Sequence, residues 1–278
     1  MPDAESTINL DESRRNPAQP LTQSQVLTAL IRGRGGRRNF VPISRSFLQQ
    51  RHQPKGSPRV GPGPLSKFVT ARRKRALDLW LLLHTIASTQ PWDVGLPSWV
   101  WATALGMPDT AASHVFISNT WSWLEQQHLV RSARDRALRR VYLLDDSGSG
   151  IPYTHSSAGQ SRFDYFKLPH SYWLDGWSGS LDLPGTAVLL IALSLPKSFI
   201  LPQQHAGHWY GISRDTVRRG LRELIRHELL SVQITRKQAP LSPTGATEQR
   251  RYTLREPFRR PNPVAASEVA AAGLDLRE

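Results

Sequence analysis

The chain has 278 residues, and its 36 Lys and Arg residues outnumber its 22 Asp and Glu residues, which gives a formal net charge of +14. Positive charge of this size favours a polyanionic partner, either nucleic acid or an anionic membrane surface. The chain contains no cysteine, which excludes disulfide bonds, thiolate zinc sites, iron–sulfur clusters and cysteine nucleophiles.

The sequence offers no segment suited to crossing a bilayer. Its longest apolar run, residues 187–193, is much shorter than the roughly 20 residues that a spanning helix needs. The amino terminus begins with acidic and polar residues and has no secretory apolar region. We therefore expect a soluble cytoplasmic protein that associates with the nucleoid and has no membrane partner.

Residues 1–66 are expected to form a disordered basic arm. Between Arg32 and Arg75, 13 residues are basic and none is acidic. The stretches RGRGGRR and SPRVGPGP are rich in glycine and proline, and such a composition buries too little apolar surface to fold alone. Only one short helix, at 23–31, is expected there. The arm would lie on DNA phosphates, and a passive solubilising tail is the alternative.

Residues 67–145 are predicted to form a first folded unit. Apolar residues at helical spacing between Ala76 and Ile86 indicate its first helix. The elements expected after it are helices at 99–105 and about 110–128, then two strands at 129–130 and 139–144.

The last of these helices and the hairpin after it are candidate DNA-contacting elements. Helical spacing turns Ile117, Trp121 and Leu124 inward, which leaves Asn119 and Ser122 facing out. Asparagine pairs well with adenine, so this face could read bases, and a protein interface such as a dimer surface is an equally good account. The hairpin carries basic residues that would reach phosphates or a minor groove: Arg134, Arg136, Arg139 and Arg140.

A flexible linker is expected at 146–162, because this segment is rich in glycine and serine. Asp145 and Asp146 are expected in a solvated turn at its start. The second folded unit is expected to span 163–256, and a frayed tail to follow at 257–278.

The most informative stretch is 211–230, GISRDTVRRGLRELIRHELL, which predicts a tight turn and a helix with one apolar and one arginine-rich face. Ser213 is placed to cap this helix. The residues expected to face the core are Val217, Leu221, Leu224 and Ile225. The residues expected on the opposite face are Asp215, Arg219, Arg222 and Arg226, flanked by Thr216 and Arg218.

The surroundings of this helix complete a recognisable pattern. Helices are expected before it at 184–195 and 202–210, and strands after it at 230–235 and 250–254 around a polar loop. This order of elements resembles the winged helix-turn-helix family of DNA-binding proteins, and the first unit repeats it in divergent form. The expected fold is therefore mainly α with small β wings: two winged-helix domains in tandem behind a flexible basic arm.

The resemblance implies that the second helix of each helix-turn-helix enters the major groove of DNA. The residues of the second unit that it places on DNA are Ser213, Arg214, Asp215, Thr216, Arg218, Arg219, Arg222, Arg236, Lys237 and Arg250. The tandem layout is similar to that of bacterial transcription regulators and of plasmid replication initiators. We expect a sequence-specific duplex-DNA binder that regulates transcription. The alternatives are an initiator that binds origin repeats, and a chromosome-architecture or partition protein. A homodimer and contacts with host replication or transcription proteins are further expectations.

The sequence shows little sign of catalytic chemistry. It contains no G-x-x-x-x-G-K-[ST] phosphate loop and no H-E-x-x-H zinc motif. His205 and His208 have a ligand-like spacing but no third ligand near them in the sequence. We therefore expect no enzymatic activity, no cofactor and no metal.

Overall fold

The structure is a computed structural model, and it describes residues 21–34, 38–50, 61–135, 138–154, 165–238 and 246–259. About 49% of it is helical and 22% is strand, and the strands form three small antiparallel sheets. The protein is thus an α/β mixture, and the expected fold of mainly α structure with small wings is wrong. The additional strand comes from a sheet outside the two hairpins and from hairpin strands longer than expected.

The elements divide into two halves along the chain. The first half contains α1 (Gln23–Arg34), β1 (Phe40–Ser44), α2 (Leu65–Thr70), α3 (Lys74–Ile86), β2 (Asp93–Gly95), α4 (Ser98–Ala104), α5 (Ala111–Gln126), β3 (Val130–Asp135) and β4 (Leu138–Leu143). The second half contains β5 (Tyr165–Pro169), α6 (Ser171–Leu174), α7 (Trp177–Ser180), α8 (Leu183–Ser194), β6 (Ser198–Phe199), α9 (Ala206–Tyr210), α10 (Arg214–Arg226), β7 (Leu230–Gln238) and β8 (Ala246–Leu254). The strand orders are β1-β5, β2-β4-β3 and β6-β8-β7.

Part of the expected disordered arm is folded into the core. Helix α1 has one apolar face, and its buried residues are Val26, Leu27, Leu30 and Ile31. Strand β1 pairs with β5, so the arm contributes one strand of a sheet. The short helix expected at 23–31 is present as α1, and its apolar face packs it into the core. The expectation of disorder is wrong at 38–50 and 61–66. The segments 1–20, 35–37 and 51–60 of the expected arm lie outside the described residues.

Helix α3 lies at the centre of the molecule and is buried even at polar positions. Because a buried polar group is costly unless it is hydrogen-bonded, its polar side chains have partners in the second half of the chain. Tyr172 Oη donates to Asp78 Oδ1 at 2.8 Å, and Trp173 Nε1 donates to Thr85 Oγ1 at 3.2 Å. Burial raises the pKa of Asp78, against the opposing effect of Lys74, whose Nζ lies 2.6 Å from Oδ2.

The prediction of a solvated turn at Asp145 and Asp146 that leads into a flexible linker is wrong at Asp146. Asp146 is only 1% exposed, and its Oδ1 lies 3.0 Å from Nε2 of the equally buried His84. Its Oδ2 accepts the Ser44 N–H at 2.7 Å. The segment therefore folds back onto α3 and β1, since a buried carboxylate needs such partners. Residues 155–164 of the expected linker and its surroundings lie outside the described residues.

In the first half, α4, α5 and the β3–β4 hairpin follow the predicted order. Thr110 caps α5, because its Oγ1 accepts the Ser113 N–H at 3.2 Å. The hairpin register pairs Val130 with Leu143 and Arg134 with Arg139. Both strands extend further toward the hairpin tip than the sequence predicts.

In the second half, the apolar helix α8 is buried and supports α10. Asp182 caps it by accepting the Gly185 N–H at 2.8 Å. The β7–β8 hairpin is nine residues long on each side and runs from the Leu230–Leu254 pair to the Gln238–Ala246 pair.

The two predicted units share one hydrophobic core that passes through α3 and α8. Gln49 Nε2 donates to the Trp209 carbonyl at 3.0 Å and thereby joins the expected arm to α9. The start of the expected frayed tail is also ordered, because Phe258 is buried beside Trp177, with ring centroids 6.2 Å apart. Of the helices within the described ranges, none combines the length and apolar character needed to span a membrane.

Candidate nucleic-acid interface

A tight turn and a capped first helical turn set the direction of α10. Gly211 has φ 64°, a left-handed conformation that favours glycine. A Cβ at this position would lie 2.6 Å from Ser66 Cβ and 2.7 Å from Pro62 Cβ, so residues of the expected arm pack directly against the turn. Ser213 caps the helix as predicted, since its Oγ accepts the Thr216 N–H at 3.1 Å.

The inner face of α10 packs closely against α8. Val217, Leu221 and Leu224 are buried, as the sequence predicts. Gly220 packs directly against α8, where an added Cβ would collide with the Pro184 carbonyl oxygen and lie 2.6 Å from Val188 Cγ2. Ile225 was expected in the core and is instead 39% exposed, because it lies at the edge of the buried face.

The outer face of α10 is strongly basic. Its exposed residues are Arg214, Asp215, Arg218, Arg219, Arg222 and Arg226. Asp215 Oδ1 lies 2.6 Å from Arg218 Nη2, and Oδ2 lies 3.2 Å from Arg219 Nε. The hydrogen bond from Arg218 is the main cause that lowers the pKa of Asp215, so the carboxylate stays charged and orients both guanidinium groups.

Thr216 is not part of this outer face. It was expected to contact DNA, and it is only 7% exposed. Its Oγ1 lies 2.9 Å from Ser213 Oγ, inside the helix cap. The Thr216 hydroxyl bonds to Ser213 because the third residue after a helix cap lies directly above the capping side chain.

Glu223 is a buried acid on the inner face of α10 that the sequence pattern did not single out. Its Oε1 accepts the Asp182 N–H at 2.8 Å, at the start of α8. Burial, together with the neighbouring Asp182 carboxyl, raises the pKa of Glu223 to about 7. Its position among apolar residues at helical spacing is the signal that it would be buried.

The second hairpin extends beside α10. Of its three residues predicted to contact DNA, only Arg250 has a described side chain. Arg250 is exposed and lies opposite Ile234, which is 52% exposed. Burial raises the pKa of Tyr252, and Arg250 partly offsets that effect. Arg236 and Lys237 belong to the backbone of β7, and their side chains lie outside the described residues.

The outer face of α5 carries the predicted polar residues without charge. Asn119 is exposed, and Val115 is 59% exposed. Ser122 is half-buried, and its Oγ donates to the Ser118 carbonyl at 3.2 Å. Ile117, Trp121 and Leu124 are buried as predicted.

The arginines of the first hairpin have different surroundings. Arg140 bridges two carboxylates, with Nη1 2.7 Å from Asp93 Oδ2 and Nη2 2.9 Å from Asp135 Oδ2, and these bonds raise its pKa. Arg140, which was predicted to contact DNA, thus bridges the neighbouring strands β2 and β3. Arg139 Nη1 donates to the Ser118 carbonyl at 3.1 Å, and Arg134 is exposed. Arg136 lies outside the described residues.

Two further arginines lie beside α5, and the sequence analysis counted them only in the run of basic residues from Arg32 to Arg75. Arg73 Cζ lies 4.9 Å from the centroid of the Trp123 ring, and Arg75 Cζ lies 6.0 Å from that of Phe116. Both guanidinium groups are held over rings on one edge of α5. The seven-residue spacing of Phe116 and Trp123 places them on the same helix edge and is the signal that could have indicated this.

Within the described residues, no group of three or more His, Asp or Glu side chains is placed to hold a metal ion. Comparison of the chain with family models, with curated proteins and with solved structures finds no match.

Proposed function

We propose that the protein binds duplex DNA with sequence specificity and that α10 enters the major groove. The observation that carries this proposal is the outer face of α10, where five exposed arginines surround one acid on a capped helix. Arginine presents a planar fork that bonds both acceptors of a guanine edge, and it also bonds phosphate oxygens.

The packing of the inner face of α10 against α8 suits a helix that enters the major groove. Gly220 lets it approach α8 closely, and Gly211 sets its direction against residues 62 and 66. A recognition element must be held in a fixed position, because a loosely held one cannot favour one base pair over another. The order α8, α9, α10 and hairpin resembles a winged helix, in which the hairpin lies beside the recognition helix on DNA.

Arg219 is the best candidate for base reading, since it lies in the N-terminal half of the outer face, the part that helix-turn-helix proteins bring to base edges. We expect Arg219→Ala to weaken binding at the specific site by about 1–3 kcal/mol and to reduce the preference over a scrambled duplex. Arg255→Ala removes the same charge from an exposed position outside α10 and serves as the control. Equal losses on specific and scrambled duplexes would assign Arg219 to phosphate contact instead.

The biological role that we propose is transcription regulation at the nucleoid. Genomic footprinting of the tagged protein tests this role, because it returns the bound sites together with their neighbourhoods. Occupied sites at promoters are the expected result. Iterated sites beside a replication origin would instead identify an initiator, and binding without sequence preference would identify an architectural protein.

A further inference from the structure

The outer face of α5 differs in chemistry from that of α10. At about 100° per residue, its outward residues lie in one sector of the helix. They are Ala111, Ala112, Val115, Ser118, Asn119 and Gln126, and none of them is charged. The face combines small apolar groups with one exposed asparagine and one exposed glutamine.

Both edges of this neutral face are lined by arginine. On one edge, Arg73 and Arg75 lie over the rings of Trp123 and Phe116, at 4.9 and 6.0 Å. On the other edge, Arg139 reaches the Ser118 carbonyl at 3.1 Å. The cations come from the start of α3 and from the first hairpin, so the fold supplies the positive charge that the sequence of α5 lacks.

A neutral strip between two edges that each carry arginine matches the major groove, which presents base edges between two phosphate backbones. It is a poor match for a second copy of this chain. The aromatic rings at the edge, which would anchor a protein interface, are already covered by Arg73 and Arg75. Two copies placed face to face would also bring these arginine-lined edges together.

The residue types on the two helices differ in the bases that they recognise. Asparagine and glutamine bond both the N6 and N7 groups of adenine, and alanine and valine contact the thymine methyl group. Arginine, which dominates the outer face of α10, favours guanine.

We propose that the DNA site is asymmetric, with an A·T half read by α5 through Asn119 and Val115 and a G-containing half read by α10. Arg73, Arg75 and Arg139 then hold the phosphates on either side of α5. This inference rests on the proposed binding of duplex DNA and adds the base composition of a second half-site.

Selection of duplexes from a random library tests whether the DNA site is asymmetric. The wild-type protein should select a single site with an A·T half joined to a G-containing half. Asn119→Ala should reduce the preference within the A·T half by about 5- to 100-fold and leave the other half unchanged. Arg219→Ala should do the reverse. Both positions are exposed, and circular dichroism of each variant checks that it is folded.

Salt titration tests the arginines at the edge. The double variant Arg73→Gln, Arg75→Gln should weaken binding to all sequences alike and reduce the slope of log affinity against log salt by up to about 1.8, at about 0.9 for each lost phosphate contact. Arg255→Gln is the matched control and should leave the slope unchanged.

The two proposals fail in different ways. If Asn119→Ala leaves both half-sites intact, α5 does not read bases, and the asymmetric site is overturned while α10 keeps its role. A change of sedimentation in that variant would then identify α5 as a protein interface. If the wild-type protein selects no sequence at all, the proposed function itself is overturned.

Discussion

Gly220 sets how closely α10 approaches the helix that supports it. Its missing side chain leaves room for the Pro184 carbonyl group and for Val188. Since both neighbours belong to the buried helix α8, neither has space to move aside.

We therefore expect Gly220→Ala to destabilise the protein by about 1–3 kcal/mol, the usual cost of overpacking. Gly207→Ala is a matched control, because an added Cβ there would meet only the Ile212 carbonyl oxygen at 3.9 Å. Chemical denaturation of both variants measures the difference. Equal stability of the two variants would show that α10 shifts outward at no cost.

Glu223 makes stability depend on pH in a defined direction. Its pKa rises from the usual 4.5 to about 7 in the folded protein, chiefly through burial. The folded state thus holds its proton more tightly than the unfolded state does. The contribution of Glu223 to stability is full below pH 4.5 and is lost as the pH rises through about 7.

Glu223→Gln imitates the protonated form and keeps an oxygen for the Asp182 N–H. We expect this variant to be more stable than the wild-type protein above pH 7 and to lose that advantage toward pH 4.5. Thermal denaturation across this pH range measures the effect. A constant difference at every pH would rule out titration of Glu223 as its cause.

At the scale of single elements, α10 and α5 differ in where the positive charge at their outer faces comes from. Helix α10 carries its own arginines, and Asp215 orients two of them. The outer face of α5 is neutral, and its positive neighbours come from the start of α3 and from the first hairpin. Exposed ion pairs such as those of Asp215 add little to stability, so their main effect is on the charge that the helix presents.

Asp215→Asn should therefore change DNA binding more than folding. We expect the variant to bind unrelated duplexes a few-fold more tightly at low salt, because an opposing charge leaves the basic face, and the gain should vanish at high salt. Fluorescence anisotropy at several salt concentrations measures it. Glu228→Gln makes the same charge change just beyond α10, and an equal gain there would show that only net charge matters.

At the scale of the whole molecule, the amino-terminal region combines folded structure with a high positive charge. Helix α1 and strand β1 belong to the core. Deleting residues 1–66 would therefore expose apolar surface on α3 and β5, and we expect the truncated chain to lose cooperative unfolding. The salt dependence of DNA binding must be tested by substitution instead.

Substitution of Arg51, Lys55 and Arg59 by glutamine removes three charges of the basic block and leaves α1 and β1 intact. If these residues contact phosphates, the slope of log affinity against log salt should become shallower by up to about 2.7, at about 0.9 for each contact. The ranking of DNA sequences should not change. An unaltered slope would mean that these three residues do not contact DNA.

Local sequence patterns were sufficient to predict helix caps, turns and the buried faces of helices. The serine cap, the turn glycine and the inward Val217, Leu221 and Leu224 of α10 follow from short-range spacing alone. The same holds for Ile117, Trp121 and Leu124 of α5. Such features depend on helical periodicity and on backbone geometry, and both can be read within a few residues.

The sequence by itself thus determined the longer helices, the two hairpins and the basic outer face of α10. Only the tertiary structure decided where charged and polar residues distant in sequence meet. It ordered α1 and β1 inside the expected arm, buried Asp146 against His84, placed Arg140 between two carboxylates, and brought Arg73 and Arg75 beside α5. These outcomes depend on which surfaces pack together, and a charge that is costly to bury alone becomes acceptable once a distant partner is brought within bonding distance.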